Sequence, residues 1–131
     1  MLPLARYRTG NIMPQAIILI IEDEPIIRMT VADDFVAAGF EVLEASNADE
    51  ALAILESERQ ITAIFSDIDM PGSMDGLELA WLVRDRWPPV QIILTSGYMR
   101  PQNRELPDRV HFLPKPYLHQ TVISALKSLI A

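Results

Sequence analysis

Residues 61–71, ITAIFSDIDMP, hold an apolar run of strand length that stops at one carboxylate, Asp67, with a second, Asp69, two residues later. A continuous apolar run without alternation suits a strand covered on both faces, and Pro71-Gly72 ends any regular structure. Asp67 is therefore expected at the carboxyl end of a central strand. In an open α/β sheet that edge is where ligands bind, so the acids there call for a chemical explanation.

The rest of the chain repeats the strand-then-helix pattern. Residues 16–21, AIILII, form a β-branched run that ends in Glu22-Asp23-Glu24-Pro25. Pro25 suits a first helical turn, Ile27, Val31 and Phe35 at spacings of four give a core stripe, and Gly39 closes the helix. Residues 41–45, EVLEA, alternate as a half-covered edge strand does. Asn47 with Glu50 predicts a capping box, followed by Ala48, Ala51, Leu52 and Leu55 on one helical face. After the acidic loop, Asp75 and Glu78 cap a third helix with Leu79, Leu82 and Val83 inward, and Pro88-Pro89 stops it. Residues 90–94 and 110–113 are the fourth and fifth strands, and Leu118, Val122, Ala125, Leu126 and Leu129 stripe the last helix. Between those two strands, Pro101 and Pro107 leave room for only a short or distorted fourth helix. Five alternations predict an α/β fold: a doubly wound, five-stranded parallel sheet, strand order 2-1-3-4-5.

Composition narrows the function. At 131 residues with half of them hydrophobic, the chain suits one domain with a real core. A net charge of −7 argues against direct nucleic-acid binding, which needs a basic face. With no cysteine, disulfides and thiolate metal sites are excluded, and a cytoplasmic location is expected. The longest apolar stretch is far too short to insert in a membrane. Residues 1–15, rich in proline and arginine and lacking periodicity, read as a loose extension; Met13 stands as a possible start beside Met1. The folded domain is expected over residues 16–131.

In the expected strand order, Glu22-Asp23, Asp67, Thr95-Ser96 and Lys115 all fall at one sheet edge. Clustered carboxylates repel one another unless a cation sits among them, and oxygen ligands select a hard ion, Mg²⁺ or Mn²⁺. Magnesium is commonly held by one or two carboxylates, waters and a phosphate oxygen. A hydroxyl from Thr95 and an ammonium from Lys115 fit that phosphate, which makes phosphoryl chemistry the expectation and Asp67 the natural nucleophile.

These residues resemble the receiver domain of two-component response regulators over about residues 16–131. The resemblance rests on Glu22-Asp23, on Asp67 followed by Met70-Pro71 and later Asp75-Gly76, on Thr95-Ser96, and on Lys115-Pro116. It implies that Asp67 accepts a phosphoryl group from a phosphohistidine on a partner histidine kinase or phosphotransfer protein. It implies, too, that Asp23 and Asp67 bind Mg²⁺ directly, Glu22 through water, and Asp69 through its main-chain carbonyl, with Thr95 and Lys115 on the phosphoryl oxygens. In such a receiver Thr95 moves toward the phosphoryl group and Phe112, three residues before Lys115, rotates inward, relaying the signal to a downstream protein. The phosphoryl group itself carries roughly −1.5 to −2 charges, enough to bias a two-state loop. The loop 72–75 carries one residue more between Pro71 and Asp75-Gly76 than the commonest receiver pattern, and Asp69 adds a negative charge beside the acceptor. The chain stops one helix after Lys115, from which a stand-alone, single-domain regulator that is not itself an enzyme is expected.

Two other readings fit parts of the pattern. Asp67-Ile68-Asp69 resembles the D-x-D of haloacid-dehalogenase-type phosphatases, but there the motif follows the first core strand and here it follows the third. A receiver-fold interaction module that does not use phosphorylation is the other. His111 and His119 read as strand and surface residues rather than metal ligands, and Trp81 and Trp87 as packing residues on or near the third helix, with Trp81 open to a partner.

Overall fold

The computed structural model describes residues 15–57, 60–97 and 105–131. Its elements run β1 (Ile17–Ile21), α1 (Pro25–Ala37), β2 (Glu41–Ala45), α2 (Ala48–Leu55), β3 (Ala63–Asp67), α3 (Gly76–Arg86), β4 (Gln91–Ser96), β5 (Val110–Pro114) and α4 (His119–Ile130). All four strand pairings are parallel and the sheet order is β2-β1-β3-β4-β5, as the sequence predicts. The expected short or distorted helix between β4 and β5 involves residues 98–104, which lie outside the described residues; 105–109 are not helical.

Alternation along the central strands sends side chains to two cores. Leu19, Ile21, Ile64, Ile92 and Leu94 pack under α2 and α3 with Ala51, Leu55, Leu79 and Val83. Ile18, Ile20, Ala63, Phe65 and Ile93 face α1 and α4 with Val31, Phe35, Val122 and Leu126. Each large aliphatic side chain so buried contributes roughly 1.5–3 kcal/mol. On the second side Phe65 is the aromatic hub, with ring centroids 5.8 Å from Phe35 and 5.5 Å from Tyr117.

The helix ends follow the sequence closely. Gly39 takes a positive φ of 104° after α1, and the Phe40 N–H donates to the Phe35 carbonyl at 3.1 Å, closing the helix in the manner that favours glycine. At α3 the Asp75 carboxylate accepts the Glu78 N–H while the Glu78 carboxylate accepts the Asp75 N–H, both at 2.9 Å. At α2 half of the box forms: Asn47 accepts the Glu50 N–H, but the Glu50 carboxylate turns to the N–H and hydroxyl of Ser46.

Two expected core positions are exposed. Ile27 and Leu118 are 39% and 73% accessible. A spacing of four residues advances about 400° around a helix, so Ile27 has drifted some 80° from Phe35 and leaves the buried stripe. Leu118 is the extended N-cap of α4, outside the helix, and Ile123 takes the inward place. Ile26, Met29 and Val36 also stand on the outside of α1. No helix among the described residues is long and apolar enough to cross a membrane.

Candidate functional site

Strand register assembles the site. Ile21 pairs with Ser66, so Glu22 follows β1 beside Asp67; Asp67 itself pairs with Thr95; Ser96 pairs with Pro114 and its carbonyl accepts the Lys115 N–H at 2.8 Å. Ordinary parallel pairing thus draws residues up to 93 positions apart in the chain to one edge.

Oxygens of Glu22, Asp23 and Asp67 lie within 4.8 Å of one another. Glu22 and Asp67 are buried, at 6% and 5% exposure, while Asp23 is half-buried. Lys115 places Nζ 2.9 Å from Asp67 Oδ2, and the Asp69 N–H donates to Asp67 Oδ1 at 3.1 Å. Burial pushes the Glu22 carboxyl up to about 7, the Glu24 N–H opposes this, and the charge of Asp67 adds to the rise. For Lys115, burial works against the ammonium, yet the hydrogen bond and charge of Asp67 outweigh it and raise its pKa. Burial, then the charge of Glu22, also raises the Tyr117 phenol. Among the described residues Lys115 is the one cation paired with these three carboxylates, which leaves excess negative charge at the sheet edge.

Thr95 Oγ1 is buried and has no hydrogen-bond partner among the described residues, a state that costs about 1–3 kcal/mol unless something supplies one. The oxygen-only donor set fits a hard divalent cation, and the orphaned hydroxyl with the adjacent ammonium fits an anionic oxygen group beside it.

Other predicted residues fall elsewhere. Phe112 is half-buried on β5 against the core that faces α3, opposite Leu94. His111 is exposed on β5, and His119 pairs with Asp34 across α1 and α4. Trp81 is 48% exposed and donates its indole N–H to the Glu105 carbonyl, whereas Trp87 packs against the core.

Two contacts escaped the sequence. Ser96 Oγ donates to Asp69 Oδ2 at 2.7 Å, so the extra carboxylate beside Asp67 is tied to β4 instead of joining the acid cluster. Gly76 packs on the backbone of Asp67: a Cβ there would stand 2.0 Å from the Asp67 carbonyl oxygen, and the Gly76 N–H donates to the Ile68 carbonyl at 3.0 Å. The Asp75-Gly76 pair was the visible signal for the second; nothing in the sequence signalled the first. With this anchor, the added residue in loop 72–75 is absorbed outside the site, where Gly72 has a φ of 118° and the Ser73 hydroxyl reaches Asp49 on α2.

The response regulator receiver domain family matches residues 18–127. Among curated relatives, the sensor kinase CckA of Brucella abortus is 33% identical over 127 residues, covering 94% of this chain and 13% of the relative. The response regulator FleR of Pseudomonas aeruginosa is 34% identical over 81 residues, 62% of this chain and 17% of FleR. The chain thus spans less than a fifth of the length of these relatives. Among solved structures, the receiver domain of the hybrid histidine kinase CckA is 34% identical with a TM-score of 0.76, covering 88% of this chain and all of that one. TrrA of Thermotoga maritima, solved in complex with Mg²⁺-BeF, is 26% identical with a TM-score of 0.78, covering 88% of this chain and 99% of that one. A family match over five strands and the acid-bearing edge, joined to this likeness of fold, decides the assignment: the chain belongs to the response regulator receiver domains.

Proposed function

We propose that this receiver accepts a phosphoryl group on Asp67 from a phosphohistidine of a partner histidine kinase or phosphotransfer protein, in a Mg²⁺-dependent reaction in the cytoplasm. The observation that carries the reading is the pairing of a buried Asp67 with Lys115 at 2.9 Å inside a cluster of three carboxylates. Likeness to the receiver of a hybrid kinase and to a receiver that binds Mg²⁺-BeF supports it.

In this reading an Asp67 carboxylate oxygen forms the new P–O bond as the donor's P–N bond breaks, and the imidazole nitrogen keeps the electron pair. Glu22, Asp23, Asp67 and the main-chain carbonyl of Asp69 would hold the ion, which supplies charge neutralisation at the transferring group. Lys115 follows the negative charge from the Asp67 carboxylate to the phosphoryl oxygens. The Thr95 hydroxyl, without a partner among the described residues, donates to one of those oxygens afterwards. Phe112, half-buried on edge strand β5, repacks as Thr95 moves, and the face carried by β4 and β5 presents the change to a downstream protein. The chain acts as a phosphoacceptor, not as an enzyme on an external substrate.

Incubation with acetyl phosphate and Mg²⁺ tests this. Intact-mass analysis is expected to find one added phosphoryl group, absent without Mg²⁺ and absent in Asp67→Asn. Folded wild-type protein that takes no label would overturn the reading in favour of an interaction module, and steady release of phosphate from added esters would point to a phosphatase.

A further inference from the structure

Asp69 makes two hydrogen bonds that point in different directions. Its N–H donates to Oδ1 of Asp67, and its carboxylate accepts from Ser96 Oγ at 2.7 Å. Ser96 is fully buried at the end of β4, directly after Thr95, and its carbonyl accepts the Lys115 N–H. A single residue on the loop after β3 therefore reads the acceptor carboxylate with its backbone and holds the end of β4 with its side chain.

Both bonds depend on the charge state of Asp67. An acyl phosphate turns that carboxylate into a mixed anhydride, a weaker acceptor for the Asp69 N–H. The phosphoryl group replaces the single negative charge of Asp67 with about two, next to the residue whose exposed carboxylate accepts from Ser96. Lys115, which balances Asp67 at rest, is drawn to the new oxygens. Repulsion then acts on the side chain that accepts from Ser96 Oγ.

We propose that Asp69 and Ser96 are positioning residues forming a charge-sensitive latch, closed while Asp67 is a free carboxylate and opened when it carries a phosphoryl group. The inference rests on Asp67 being the acceptor. The closed latch holds the Thr95-Ser96-Gly97 segment in its resting place; its opening releases that segment to move toward the phosphoryl group. The extra carboxylate beside the acceptor is thus a sensor of the acceptor's charge.

Nitrogen-15 NMR of the full chain, with beryllofluoride and Mg²⁺ as the phosphoryl mimic, tests the latch through the Gly97 amide. In Ser96→Ala, that resonance is expected to move toward its loaded wild-type position with no mimic present, while Ser96→Thr, which keeps the hydroxyl, restores the resting position. In Asp69→Asn, which keeps the acceptor and removes the charge, Gly97 is expected to stay near its resting position even when the resonances around Asp67 show full loading. A resting Gly97 signal in Ser96→Ala, or a full wild-type response in Asp69→Asn, would overturn the latch alone. Should Ser96→Ala fail to fold, Asp69→Asn decides. Wild-type protein that does not load at all removes both the latch and the reading beneath it.

Discussion

Gly76 and Asp67 share space that no larger residue could enter. A methyl group at position 76 would lie 2.0 Å from the Asp67 carbonyl oxygen and 2.8 Å from its carbonyl carbon, both backbone atoms fixed in β3. Alanine is ordinarily the better helix residue by about 1 kcal/mol, and Gly76 opens a helix. Gly76→Ala is nevertheless expected to destabilise by roughly 2–4 kcal/mol, since α3 must shift away from β3. Urea unfolding measures it, and a stabilised variant would show that the packing is looser than described.

Glu22 gives the pH dependence a definite sign. Its pKa is raised from 4.5 to about 7 by burial and by the charge of Asp67. A carboxyl with a higher pKa in the folded state binds more protons folded than unfolded, so it subtracts stability as pH rises from about 4.5 through about 7. Without divalent cations, Glu22→Gln is expected to melt higher than wild type at pH 8, with the advantage fading toward pH 4.5. Thermal unfolding in EDTA across that range checks both ends; an advantage that grew as pH fell would contradict the assignment.

How much of this was legible beforehand depends on the range of the interaction. Asp67, Glu22-Asp23, Thr95 and Lys115 stand out because each interrupts an apolar run at a strand end, a local signal that parallel register converts into a cluster. Helix caps were equally visible at Gly39 and Asp75, being written within four residues. Ile27 was misjudged since a four-residue repeat drifts around the helix, and Leu118 since an apolar N-cap looks like the first residue of a stripe. The bond from Ser96 to Asp69 spans 27 positions, from the end of β4 to the loop after β3, and no periodicity encodes it. In the sequence Gly76 stands out only as part of a motif, whereas its physical reason is the carbonyl it accommodates.

The ion pair of Lys115 with Asp67 should behave as a coupled unit. Lys115 is about one-third exposed and Asp67 almost wholly buried. Removing the lysine as Lys115→Met leaves the buried acids uncompensated and is expected to cost about 2 kcal/mol in EDTA. In an Asp67→Asn background the same change should cost clearly less, with a coupling of about 1–2 kcal/mol in the double-mutant cycle. Additive effects would mean that Lys115 is held by solvent rather than by Asp67.

Excess charge in the cluster also makes stability respond to ions. Added Mg²⁺ is expected to raise the melting temperature, by the equivalent of about 2.7 kcal/mol once its concentration is about a hundred times Kd. Asp23→Asn, which removes the half-buried carboxylate without disturbing the Asp67–Lys115 pair, should abolish most of that gain. Differential scanning calorimetry with and without the ion reads it directly, and an undiminished gain in the variant would exclude Asp23 from the site.

The position of β3 in the sheet carries one more consequence. All five of its residues are buried, β1 and β4 hold it on both sides, and helices cover both its faces. Asp67 therefore ends a strand that is enclosed on every side. Under the proposed phosphorylation, charge placed on Asp67 acts on its surroundings: the side chains and loops at the ends of the neighbouring strands respond, and Asp67 is the fixed reference for their displacement.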